Sequence, residues 1–349
     1  MDRNENILAK SKYVIDKAFE IDPDLPEAHV ALGYYYYWGY LKYPQALEEL
    51  EKALKKQPGN SEAFYLAGSV YRRAGNLGKS KKYYLKALEL DPRSSRIAFN
   101  TGQTFDLLRE YSTAQNYYNT AIMLQPDWVY PYHELSRLHL RWSGDTKKAR
   151  ETIVNEIHFN QANAFDSLII ETIILINLYE GRYDEVFKVL SAYKFKVFQN
   201  QFYYRPKYLY YAANYSLLNK PDLEHLYYDS ARIFLEDKIK KLPEDPRLYS
   251  SLGIAYAGLG IEMKALNASQ KAVKILPVEK EAWKGVFLVE DLAHTYVLLG
   301  KYPEALKQIE YLLSIPGNLS TKILEIDPIW APLKNLPDYK KVIEKYTVN

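Results

Sequence analysis

No cysteine occurs among the 349 residues. Disulfides, thiolate metal sites and cysteine nucleophiles are therefore excluded, which suits a reducing cytoplasm or a simple periplasmic protein. An excess of one charge is also missing: 46 Lys+Arg against 43 Asp+Glu leaves a net charge of +3. A chain held mainly by phosphate contacts carries a stronger basic bias, so this balance argues against nucleic acid as the partner. Long apolar runs are absent too. The most apolar stretch, Leu168–Leu178, is short and contains Glu171, the pattern of a buried helix rather than a membrane span. The opening residues MDRNENILAKSK lack the apolar centre of a signal peptide. The expectation is a soluble cytoplasmic protein with no membrane partner.

What is abundant is tyrosine, with 34 residues against 12 phenylalanines. A ring with a polar tip suits a surface that packs on one side and stays wet on the other, which an extended one-layer architecture needs at many positions. The run GYYYYWGY at Gly33–Tyr40 concentrates this feature. A helix turns once in about 3.6 residues, so five successive aromatics cannot share one face.

The chain repeats itself. Residues 63–92 align with 97–126 at an offset of 34, matching Gly68 with Gly102, Tyr71 with Phe105, Tyr84 with Tyr118, Ala87 with Ala121 and Pro92 with Pro126. Ala53 and Pro58 lie one further period upstream, whereas Gly33 lies 35 before Gly68, which places one extra residue in the turn after the aromatic run. Each unit reads as a helix with a small residue (Gly33, Gly68, Gly102, Gly253), then an aromatic one turn later, a short turn, and a second helix with a buried alanine (Ala53, Ala87, Ala121, Ala272). A proline closes it (Pro58, Pro92, Pro126, Pro277), because proline cannot continue the helix. Small residues opposite large ones let helices approach closely.

This grammar resembles the tetratricopeptide repeat, a helix pair of 34 residues. The match covers Pro26–Pro126, Arg247–Pro277 and Leu292–Leu312. Pro131–His158 keeps the rhythm with an insertion around Gly144, while Phe165–Leu190 and Tyr208–Leu235 keep turn signals but lose the signature small residues. The resemblance implies an all-α, right-handed α-solenoid of roughly seven to eight helix pairs with a proline-rich C-terminal cap. Its expected divisions are a capping or half-repeat helix (1–25), regular repeats (26–160), degenerate pairs (161–245), repeats again (246–315) and a capping segment (316–349). Residues 7–29 look like the second helix of a repeat, which leaves two readings open: a cap, or part of something longer.

The last segment, 314–346, is similar to the end of tetratricopeptide arrays in multidomain bacterial signalling proteins, with Leu324, Asp327, Pro328, Trp330, Pro332, Leu333 and Tyr339 in the places of the motif. There the array follows a Ser/Thr kinase, a nucleotide cyclase or a winged-helix DNA-binding domain. This chain has no Gly-rich phosphate loop, no HRD or DFG sequence and no cyclase carboxylate pattern. The resemblance therefore implies a non-enzymatic interaction scaffold without cofactor or metal. The alternative is the regulatory part of a larger signalling enzyme or transcription regulator whose effector domain lies outside this chain.

In that family the first helix of each pair lines a concave groove. Carried onto this sequence, the groove positions are Tyr34, Tyr37 and Trp38, with Tyr36 in the core; then Tyr65, Ser69, Arg72 and Arg73; then Phe99, Gln103 and Asp106, with Asn100 beside them; and Tyr130, His133, Arg137 and Arg141. Aromatics and arginines together suit an extended protein or peptide partner bearing acidic groups. The competing reading is that the arginines pair with local acids such as Glu62, Asp106 and Glu134. The degenerate central pairs offer either a specialised pocket or a homodimer surface. Glu290 and His294 stand four apart on one helix, a spacing a metal could use but one that reads as an ordinary surface pair.

Overall fold

The computed structural model describes residues 5–159, 161 and 166–347; Phe165, the expected start of one degenerate pair, lies outside them. The chain divides into two compact units, Met1–Gln125 and Pro126–Asn349.

In the first unit, α1 (Glu5–Ile21) precedes three helix pairs. These are α2 (Pro26–Tyr34) with α3 (Tyr43–Lys56), α4 (Ser61–Arg73) with α5 (Leu77–Leu90), and α6 (Ser95–Leu107) with α7 (Tyr111–Leu124). Local signals set the ends. Asn60 and Ser94 cap α4 and α6 by accepting from the amides of Ala63 (2.9 Å) and Ile97 (3.3 Å). Helices α3, α5 and α7 stop two residues before Pro58, Pro92 and Pro126. The turn inside each pair passes through the left-handed region, at Leu41, Gly75 and Arg109.

The alanines at the repeat position, Ala53, Ala87 and Ala121, are fully buried. So are Tyr84 and Tyr118, whose rings lie against Gly68 and Gly102. A Cβ built on Gly102 would sit 2.8 Å from Tyr118 Cδ1 and 3.3 Å from the carbonyl of Ala114. That is why the period conserves a small residue here: nothing else leaves room for the ring.

The extra residue of the first repeat sits elsewhere than expected. It is taken up inside the aromatic run, where Tyr35–Gly39 form a π-helical turn. A π-turn is a one-residue insertion in an α-helix, and it rotates every later side chain. Hence Tyr37, projected toward the groove, is buried in the core at 3% exposure, while Tyr36 is only half-buried.

The second unit holds five pairs: α8 (Val129–Ser143) and α9 (Thr146–Phe159), α10 (Ser167–Tyr179) and α11 (Tyr183–Ala192), α12 (Lys207–Leu217) and α13 (Pro221–Lys241), α14 (Pro246–Gly258) and α15 (Glu262–Ile275), α16 (Ala282–Leu298) and α17 (Tyr302–Ser314). One departure from an all-helical chain is a short antiparallel hairpin, β1 (Val197–Gln199) with β2 (Tyr204–Pro206), between α11 and α12. Phe198 anchors it, buried and stacked on Tyr193 at 4.4 Å.

The C-terminal segment is α18 (Thr321–Ile326), a 3₁₀ turn (Pro328–Leu333) and α19 (Pro337–Thr347). Leu324, Trp330, Leu333 and Tyr339, the motif residues of that segment, fill a core shared with α16 and α17. The same segment also returns to the start of the unit. Ser320 Oγ donates to the carbonyl of Arg141 at 2.7 Å, and Ile323 and Ile326 pack with Leu140 of α8. All-α stacking of helix pairs is thus the architecture of both units. Among the described residues no helix is long and apolar enough to cross a membrane.

Gly102→Ala should destabilise the protein: overpacking of about 1–3 kcal/mol outweighs the gain of about 1 kcal/mol from helix propensity. Gly59→Ala, where a Cβ meets nothing within 4 Å, should change the urea midpoint negligibly.

Candidate functional site

The first helices of unit 1 touch one another in sequence order, and their shared face is laced by polar side chains. Tyr34 of α2 donates its hydroxyl to Glu62 of α4, which also takes the guanidinium of Arg96 from α6. That guanidinium lies over the Tyr65 ring at 4.0 Å. Asn100 Nδ2 donates to Tyr65 Oη at 3.3 Å. Burial, then the Glu62 carboxylate, drives the Tyr34 hydroxyl well above the ordinary tyrosine range, so it stays a donor at any physiological pH. Tyr34, Tyr65 and Asn100 are therefore brought together, by a pair (Glu62 and Arg96) that the groove projection left out. The signal was present: Glu62 and Arg96 are 34 apart, the same position in successive repeats.

The two arginines of α4 are differently placed from their projection. Arg72 is buried, with Nη2 donating to Asn100 Oδ1 at 2.7 Å and Nη1 to the Asn100 carbonyl and Gln103 Oε1, each at 3.2 Å. Arg73 is only 2% exposed; its Nε donates to Tyr37 Oη at 2.7 Å, and its guanidinium lies 5.5 and 5.1 Å from the ring centres of Tyr37 and Trp38. A long side chain at the end of a helix reaches back into the neighbouring pair, so a position on the groove face does not leave the charge there. Trp38 stays 45% exposed, and Tyr130 in unit 2 is 49% exposed.

In unit 2, Arg141 is buried and its Nη2 pairs with Glu134 at 3.1 Å. His133, also buried, bonds through Nδ1 to Thr172 Oγ1 at 2.8 Å, and burial pulls its pKa to about 4. Arg137 is half-buried and partly open to solvent. Glu290 and His294 are not an ordinary surface pair. Both are half-buried on α16. Among the described residues no three His, Asp or Glu side chains are grouped to hold a metal ion.

Residues 35–95 and 65–128 match the family model described as the tetratricopeptide repeat. Protein O-mannosyl-transferase TMTC1 of Mus musculus is 34% identical over 87 residues, 24% of this chain and 9% of that protein. Superkiller complex protein 3 of Mus musculus is 28% identical over 99 residues, 28% of this chain and 6% of that protein. The chain thus spans less than a tenth of either relative. Among solved structures, PilW, a type IV pilus biogenesis factor, shares 18% identity at a TM-score of 0.50, covering 60% of this chain and 92% of its own. A tetratricopeptide-repeat protein from Parabacteroides merdae covers 93% of this chain and 99% of its own, at 16% identity and a TM-score of 0.46. These are likenesses of repeat and fold. The likeness of residues 314–346 to signalling-protein arrays is carried by the sequence motif alone.

Truncating Arg73 to alanine should cost about 2–4 kcal/mol, since it strips a buried hydrogen-bonded cation from between two rings. Arg96→Ala, whose partner pair is exposed, should cost under about 1 kcal/mol. Urea unfolding followed by circular dichroism measures both; equal losses would contradict the assignment of Arg73 to the core.

Proposed function

We propose that this tetratricopeptide-repeat protein is an interaction scaffold whose first-helix face in unit 1 holds an extended, acidic peptide segment of a partner protein. The observation that carries the reading is Trp38: a large apolar ring left 45% exposed and backed by the buried guanidinium of Arg73. An indole fixed in advance loses little side-chain freedom on binding, and aromatic anchors of this kind dominate protein–peptide affinities. Tyr34 of α2 and Tyr65 of α4 add half-buried rings held by the Glu62–Arg96 pair. Arg96 is where an acidic group of the peptide is drawn, in exchange for part of its bond to Glu62. Arg72, Asn100 and Gln103 support the face from below by fixing α6 against α4.

A random peptide library displayed on phage and selected on the full chain should return segments with an apolar or aromatic anchor flanked by Asp or Glu. Trp38→Ala should then weaken the selected peptides by at least about tenfold, roughly 1.4 kcal/mol, with the far-ultraviolet spectrum unchanged. Peptides rich in lysine, or an affinity indifferent to Trp38, would contradict the proposal.

A further inference from the structure

Helix α1 has the pattern of the second helix of a repeat. Ala18 and Pro23 lie 35 residues before Ala53 and Pro58, and the same offset sets Ser11 with Ala46, Val14 with Glu49 and Ile15 with Leu50. One face of α1 packs on the helix that follows. Leu8 lies against Gly39 of the π-turn, Ile15 is buried, and the Phe19 ring meets His29 of α2 edge-on at 4.9 Å. The adjoining face, about a quarter turn round the helix, is open: Ser11 is exposed, and Val14 and Ile21 are 64% and 87% exposed.

The three pairs of unit 1 show what covers this face. At the place of Val14 stand Glu49, Tyr83 and Tyr117 in α3, α5 and α7. His29 Nδ1 of α2 bonds to Glu49 Oε2 at 2.7 Å; the Tyr83 ring lies 5.7 and 5.1 Å from those of Phe64 and Tyr71 of α4; Tyr117 stacks on Phe105 of α6 at 5.4 Å. Each contact is made to the first helix of the same pair. Ala46, Ser80 and Ala114, at the place of Ser11, are fully buried. Among the described residues, no first helix lies on Val14 in this way. Ser11, Val14, Ala18 and Ile21 recur at steps of three and four, the spacing of a seam on which another helix packs.

We propose that this face of α1 seats an amphipathic, acid-flanked helix of a partner protein, lying where the first helix lies in the other pairs. The rim of the seam sets the partner's charge. Lys10 and Lys17 are exposed along its outer edge; among the described residues Lys10 makes no ion pair, and Lys17 pairs with Glu20 of the same helix. Lys79, which holds the place of Lys10 in α5, reaches across to the Tyr71 ring of α4 at 5.0 Å, so this edge faces the covering helix. The partner helix therefore carries Asp or Glu beside the lysines and large apolar side chains on Val14 and Ile21. At its closest approach it needs a small residue, as Gly33, Gly68 and Gly102 provide in the other pairs. A second copy of α1 fits poorly: laid antiparallel on the seam, it sets Lys10 and Lys17 against the same two lysines.

This occupant is helical and seats on α1, whereas the peptide of the proposed function is extended and seats on the first helices, so neither reading depends on the other. Covering Val14, Ile21 and the lysine stems removes apolar surface from water. The rim charges choose the partner and speed its approach more than they add affinity. Because the rim is exposed, its attraction is screened and binding weakens as salt rises.

The test uses a phage library of helical peptides of about 20 residues, with an apolar heptad seam fixed and the flanking positions randomised, selected on the full chain. The recovered peptides should be acidic along one flank. In fluorescence anisotropy, Val14→Glu and the double variant Lys10→Glu, Lys17→Glu should each weaken them by about tenfold or more. The far-ultraviolet spectrum should not change, since all three side chains are exposed. Replacing the peptide's flanking acids by lysine should restore binding to the double variant. Recovery of no binder, neutral or basic flanks, or equal affinity for Val14→Glu and the wild type would overturn the proposal. So would sedimentation showing a dimer of this chain that Val14→Glu dissociates, because the second copy would then be the occupant.

Discussion

A tyrosine ring lying against a glycine is the contact on which unit 1 depends. Tyr84 on Gly68 and Tyr118 on Gly102 set how closely the second helix lies against the first in the second and third pairs, while Leu50 meets Gly33 in the first. Both rings are fully buried, yet each hydroxyl has a partner: Ser69 for Tyr84 at 2.7 Å and Asp106 for Tyr118 at 3.1 Å. The ring thus supplies apolar area to the core while its tip is bonded on the first helix. Close approach within pairs in turn brings consecutive first helices together, and it is on those helices that the polar lacing occurs.

That lacing explains why so many charged residues of unit 1 lie inside it. Arg72 and Arg73 are unusual residues to find buried; Arg72 donates to Asn100 and lies over the Tyr84 ring, and Arg73 donates to Tyr37 and lies over its ring. Their effect is felt at the surface. Arg73 fixes the indole of Trp38, and Arg72 ties α4 to α6, so the exposed part of the face is rigid before any partner arrives. Unit 2 differs in that its C-terminal segment bonds back to α8.

The repeat was legible because its causes are local. Glycine, aromatic, alanine and proline at fixed offsets each reflect a contact inside one pair, so the helices, their ends and the buried alanines followed from spacing. What sequence did not reveal lies between pairs. The offset of 35 between Gly33 and Gly68 announced an extra residue but not its place, and a π-turn within the aromatic run absorbs an insertion as readily as a longer turn. That single choice rotated Tyr37 into the core. Arg72 and Arg73 occupied groove positions by count, but which way a long side chain reaches depends on the neighbour. The return of the C-terminal segment to α8, through Ser320 on Arg141 and Ile323 and Ile326 beside Leu140, joins residues about 180 apart, which no local pattern encodes.

The central claim is that consecutive first helices of unit 1 present one pre-ordered face to a partner. Hydrogen–deuterium exchange of the full chain, with and without a bound peptide, tests it most directly. Slowed exchange should fall on α2, its π-turn, α4 and the start of α6. Protection confined to α3, α5 and α7, or found only in unit 2, would contradict it.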